Sequence, residues 1–293
     1  MVHRFRLLPT RSAWRHFQNP VPLRSEGHFS CFFRAFVVHY LQKAGDSVKE
    51  RKFDISSAGL HVLAMFLMLC DHLWATVIPG NDWLTCIGRL AFPIFAFMLV
   101  EGYFHTRNLK KYALRLGLFA VISEIPFNLI YSSSVIFPYH QNVIWTLLIG
   151  LGMIHLNEKA RISEKAYLRS LAIIGTVFLG GLLGIVSFSD YNAAGVLTIL
   201  VFYFFWGNSW GHRLLQFAGM YYINFEMLKG LVFPITVFGN TFEIPQQGLA
   251  ILSLIFIWLY RGRKGYSAKW FRQLCYWFYP AHMLLLWLIR YLA

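Results

Sequence analysis

Residues 60–78, LHVLAMFLMLCDHLWATVI, form an apolar run long enough to cross a bilayer, yet it contains Asp71 and His72. A hydrocarbon core takes about 20 helical residues. An acidic side chain at its centre costs roughly 2.5–3.5 kcal/mol on insertion scales, so such groups face a protein interior and find partners. Other ionisable groups follow in or beside apolar segments: Arg89, Glu101, Arg115, Glu124, Asp190 and His282. The pattern predicts an all-α, polytopic membrane bundle with a polar interior.

Hydropathy places nine spans, at 60–78, 84–103, 112–131, 143–156, 168–186, 193–206, 214–238, 248–260 and 274–292. Helices are the expected element, because no repeated alternation marks a transmembrane barrel. If the first span begins in the cytoplasm, the cytoplasmic loops and their edges carry thirteen Lys or Arg. Arg107, Lys110, Lys111, Arg213, Arg263, Lys264, Lys269 and Arg272 are among them. The opposite loops, 79–83, 132–142, 187–192 and 239–247, carry none. The positive-inside rule therefore puts the start of the first span, and the N-terminus, in the cytoplasm. The same rule makes 214–238 one interrupted crossing; two crossings would turn the basic loop 261–273 outward.

Half of the net charge of +14 lies in residues 1–52, a basic leader expected to be disordered, a targeting segment, or the product of a start site upstream of the true one at Val48. A single transmembrane domain then occupies 53–293. No Lys/Arg stripe lies on a polar helix face, so nucleic acid is not an expected partner; the bilayer and anionic cytoplasmic ligands are. The four cysteines form no CxxC pair, which argues against a zinc site.

By depth, Asp71, His72 and Glu124 lie past the middle of their spans. Arg89 lies near the outer face, and His282 near the midplane. Asp71 and His72 either form a working site or pair with Arg89 to hold helices together. Glu124, in Ser123-Glu124-Ile125-Pro126, either belongs to that site or satisfies backbone freed by the proline. Glu101 reads as a loop partner for Arg107 or Lys111.

The segments Asp71-His72, GRLAFPIFAF from Gly88 (followed by Glu101-Gly102-Tyr103 and Thr106-Arg107-Asn108), Ser123-Glu124-Ile125-Pro126, Asp190-Tyr191 and Tyr279-Pro280 with His282 resemble the TraX family. The resemblance runs from about residue 58 to the C-terminus. It implies a bacterial inner-membrane protein similar to transmembrane acyltransferases, whose namesake is associated with pilin acetylation in conjugation. It further implies His72 as catalytic base, with Leu60-His61 standing where the family has Leu-Lys. On this basis the expected site is His72, Asp71, Arg89, Glu124 and His282. Asp71 would orient His72, and Arg89 would hold a developing oxyanion. Acetyl-CoA is the expected acyl donor, its phosphates on Arg107, Lys110, Lys111, Arg115 and the 261–272 cluster. The acceptor would be extracytoplasmic, such as a pilin or a cell-surface glycan. The alternatives are a transporter with an Asp71–Glu124–His282 relay and a non-catalytic pilus or conjugation assembly factor.

Overall fold

The computed structural model describes residues 54–292 apart from 238–239; the basic leader lies outside the described residues. The described elements are α1 (Ser57–Thr76), α2 (Asp82–Gly88), α3 (Ala91–His105), α4 (Leu109–Tyr131), α5 (Val143–Arg161), α6 (Ala166–Val186), α7 (Asn192–Phe204) and α8 (Trp210–Tyr221). A π-helical turn, Tyr222–Met227, leads into a hairpin of β1 (Val232–Val237) and β2 (Asn240–Pro245). A 3₁₀ turn, Gln246–Leu252, runs into α9 (Ser253–Leu259), and α10 (Lys269–Leu292) closes the chain.

Among the described residues, four stretches are long and apolar enough to cross a membrane: Ser57–Thr76, Asp82–His105, Leu109–Tyr131 and Ala166–Val186. The fold is thus an all-α membrane bundle, coarser than the nine spans expected. Two further corrections concern its elements. The apolar run 84–103 is broken at Arg89-Leu90, because Pro93 has no N–H to bond the Arg89 carbonyl. The run 214–238 is not one interrupted helix. Lys229 (φ 46°) and Gly230 (φ 77°) turn the chain, and the β-branched, proline-containing run Val232–Val237 pairs antiparallel with Asn240–Pro245. Lys229 therefore sits in a turn at the end that the sequence left without basic residues.

Helix α3 is the axis of the bundle. It packs against α1, α5, α7 and α9, and Ile94, Ala96 and Val100 are fully buried. Helix α10 lies along both α1 and α4. The N-terminus of α1 is tied to the α9–α10 loop. The Ser56 hydroxyl accepts from Gly59 N at 3.1 Å, while Ser57 N and Ala58 N donate to the Arg263 and Lys264 carbonyls at 2.8 and 3.1 Å. Three of the four donors a helix start leaves unpaired are so satisfied. An exposed Arg263–Asp54 ion pair reinforces the tie.

At the other end, loops 132–142 and 187–192 are bound together: Gln141 N donates to Phe188 O at 2.8 Å and Asp190 N to Gln141 O at 2.9 Å. Thr146 Oγ1 adds a bond to the Asp190 carbonyl at 2.5 Å.

One glycine sets the approach of α2 to α1. A Cβ on Gly88 would lie 2.5 Å from Asp71 Cβ and 2.8 Å from Asp71 Oδ1. Gly88→Ala is expected to destabilise the protein by about 1–3 kcal/mol through overpacking and to spoil the Asp71–Arg89 geometry. Thermal unfolding of the purified variant in detergent checks this.

Candidate functional site

His72 and His282 come from α1 and α10, 210 residues apart in sequence, and meet inside the bundle. Both are buried, 8% and 6% exposed. His72 Nδ1 lies 2.7 Å from His282 Nε2, and the two rings are within 9° of parallel. His282 Nδ1 lies 2.6 Å from the Phe278 carbonyl.

These contacts fix the protons of the neutral pair. A carbonyl only accepts, so His282 Nδ1 carries its proton and donates. Its Nε2 then holds a lone pair and accepts from His72 Nδ1–H. His72 is left with an unprotonated Nε2, the form a general base requires. Pro280, between Phe278 and His282 on α10, leaves the Tyr276 carbonyl without its usual helical donor.

Asp71 does not orient His72. Adjacent residues on a helix point about 100° apart, and Asp71 faces α2 instead. Its Oδ1 accepts from Thr85 Oγ1 at 2.7 Å and forms an ion pair with Arg89. Arg89 Nη2 also donates to Thr85 Oγ1 at 2.8 Å. Thr85, four residues before Arg89 on the same side of α2, thus bridges both charges. Sequence reasoning missed it, although a hydroxyl one turn from a membrane-embedded arginine is a readable signal. The pair is 18–21% exposed at the side chains. Its cost of burial is met by mutual attraction and by the threonine.

Glu124 stands apart. Its Oε1 accepts from Asn142 N at 3.0 Å, from the Asn142 side-chain amide and from Trp145 Nε1 at 2.8 Å. Asn142 is the N-cap of α5, its Oδ1 accepting from Ile144 N at 3.0 Å. A carboxylate at a helix N-terminus is favoured by the macrodipole as well as by these donors. The acid satisfies the start of α5 rather than backbone freed by Pro126. Glu124→Ala is expected to cost about 1–3 kcal/mol of stability by orphaning buried donors, while Glu124→Gln keeps most of it. Chemical denaturation of the two variants distinguishes them.

Glu101 likewise has partners other than those expected: Trp206 Nε1 at 2.7 Å and Tyr260 OH at 3.2 Å.

Asp71, His72 and Arg89 line one cavity of about 1390 Å³ that runs the length of the bundle. At one end its lining includes His61, Arg115, Lys264, Lys269 and Arg272; at the other it includes Tyr131, His140, Asp190 and Tyr191. His282 stands behind His72, outside the lining. Arg107, Lys110 and Lys111 are exposed and do not line the cavity. Arg115 does, its guanidinium 5.9 Å from the centre of the Tyr276 ring.

At the far end, His140 Nε2 lies 3.7 Å from Asp190 Oδ1. The bond to Asp190 raises the His140 pKa above its ordinary value, against the opposing effect of burial. A histidine raised on folding contributes stability that is complete below its unfolded pKa of about 6.5 and lost as pH rises through the folded value. The difference in melting temperature between the native protein and His140→Gln is therefore expected to be present at about pH 6 and to vanish at about pH 9.

A family model described as TraX protein matches residues 56–290. The probable fimbrial assembly protein FimC, serogroup H1, of Dichelobacter nodosus is 28% identical over 255 residues, covering 81% of this chain and 96% of that protein. No solved structure matches.

Proposed function

The chain belongs to the TraX family, and from that premise we propose that it is an inner-membrane acyltransferase that moves an acyl group from an acyl-CoA to an acceptor on the far side of the membrane. The observation that carries the reading is the His72–His282 pair, which leaves a basic nitrogen on the wall of a cavity reaching both ends of the bundle. The basic end faces the cytoplasm by the positive-inside rule. Lys264, Lys269, Arg272 and Arg115 offer charge for the donor's phosphates there. Arg107, Lys110 and Lys111 then serve topology.

In the reaction, His72 Nε2 removes the proton of the acceptor amine or hydroxyl. The freed nitrogen or oxygen attacks the thioester carbonyl, forming the new C–N or C–O bond. The C–S bond breaks, and the departing CoA thiolate takes the proton back from His72. While protonated, His72 donates through Nδ1–H to His282, so the charge is held by a neighbour already in place. Arg89 Nε and Nη2 are committed to Thr85 and Asp71. Its Nη1, with no protein acceptor among the described residues, is available to the carbonyl oxygen as negative charge develops. The FimC relative suggests that the acceptor belongs to a fimbria or pilus.

Transfer of radiolabel from acetyl-CoA in membranes containing the protein tests the reading. Label on an extracytoplasmic acceptor, absent when the gene is absent, is the expected result. Failure of any acyl-CoA to donate label, with no acyl-CoA binding to the purified protein, contradicts it.

A further inference from the structure

We infer that the cavity accepts donor acyl groups longer than acetyl. The inference rests on the acyl-transfer reading. Pockets that enclose drug-sized ligands measure about 300–1000 Å³, and this one is about 1390 Å³. Apart from the polar Asp71 and Arg89, its wall carries soft apolar side chains on the face of α1 that bears His72. Met65 and Met68 lie two turns and one turn before His72 on the same face of α1. Phe95 and Met98 of α3 and Leu147 of α5 add further apolar surface to the lining.

An acetyl methyl needs almost none of this surface, and the amides of a pantetheine arm gain nothing from it. A longer alkyl chain matches it, each fully buried methylene tightening binding about fourfold. Methionines are the side chains best able to re-pack around chains of different length. Leu147 is half-buried at the lining, so a larger side chain there narrows the cavity without entering a filled core.

The test is a competition in membranes between acetyl-CoA and hexanoyl-CoA carrying distinguishable labels. Hexanoyl transfer is expected to win by about tenfold or more in kcat/KM. In Leu147→Phe the hexanoyl advantage is expected to fall about fivefold or more with acetyl transfer retained. Equal use of the two donors, or a preference for acetyl, overturns this inference and leaves acyl transfer standing. Transfer from neither donor overturns the acyl-transfer reading itself. An unchanged preference in Leu147→Phe overturns the placement of the chain against α5.

Discussion

Acyl transfer by His72→Ala is expected to fall about 10²–10⁴-fold, the usual contribution of a positioned general base. Stability should change little by comparison, because the imidazole lines the cavity and, among the described residues, its side-chain hydrogen bond is to His282. His282→Ala should lower the rate as well, by a different route. His282 does not line the cavity; in the proposed reaction it positions His72 and fixes its tautomer. Without it, the Nδ1–H of His72 loses its acceptor, and the ring is free to turn and to exchange tautomers. A purely structural role would lower the amount of folded protein and leave the pH profile alone. A positioning role shifts the acidic limb of the kcat profile, since the charge on His72 then lacks its neighbour. Glutamine at 282 offers an amide oxygen to the same N–H and is expected to restore part of the rate. Rate profiles against pH for His72→Ala, His282→Ala and His282→Gln make the distinction.

Removing the cation from the Asp71–Arg89 pair should produce the largest stability loss. Arg89→Met leaves a carboxylate in a membrane-spanning helix with only Thr85 as donor among the described residues, at a cost of about 3–5 kcal/mol. Asp71→Asn strands the guanidinium in the same way. The double variant Asp71→Asn/Arg89→Met removes both charges and should recover much of the loss, because the penalty belongs to the unpaired ion. A double-mutant cycle of unfolding free energies measures the coupling. Additive losses would show that the pair contributes nothing as a pair.

These expectations divide what the sequence shows from what it hides. The bundle is legible because apolar runs near bilayer length leave few other folds. The Asp71–Arg89 pair is nearly legible, since an ionised group at that depth requires a countercharge and few exist. The His72–His282 contact is not: nothing local in α1 points to α10, and only the packing of α10 against α1 creates it. The partner assigned to His72 was wrong for a local reason, the turn of the helix between residues 71 and 72.

Glu124 misled for the opposite reason. A carboxylate in an apolar run has the same appearance whether it serves a reaction or a helix cap, and the deciding donors, Asn142 and Trp145, lie on the next helix. The hairpin was hidden because Val-Phe-Pro-Ile-Thr-Val is as apolar as a span. Its β-branched residues and proline carry the information that hydropathy discards.

Of the basic residues expected to meet a donor's phosphates, Arg115, Lys264, Lys269 and Arg272 line the cavity, whereas Arg107, Lys110 and Lys111 do not. Charge count along the chain cannot tell exposed lysines at 110 and 111 from Lys264, Lys269 and Arg272, which line the cavity.

The most direct test of the account is the protonation of the two imidazoles. Nitrogen-15 solid-state NMR of the protein in lipid, with histidine labelled and His72→Ala and His282→Ala used for assignment, reads each ring nitrogen separately. The account predicts a protonated Nδ1 on both rings at neutral pH and an unprotonated Nε2 on His72. A His72 protonated at Nε2, with its lone pair on Nδ1 facing His282, would contradict it.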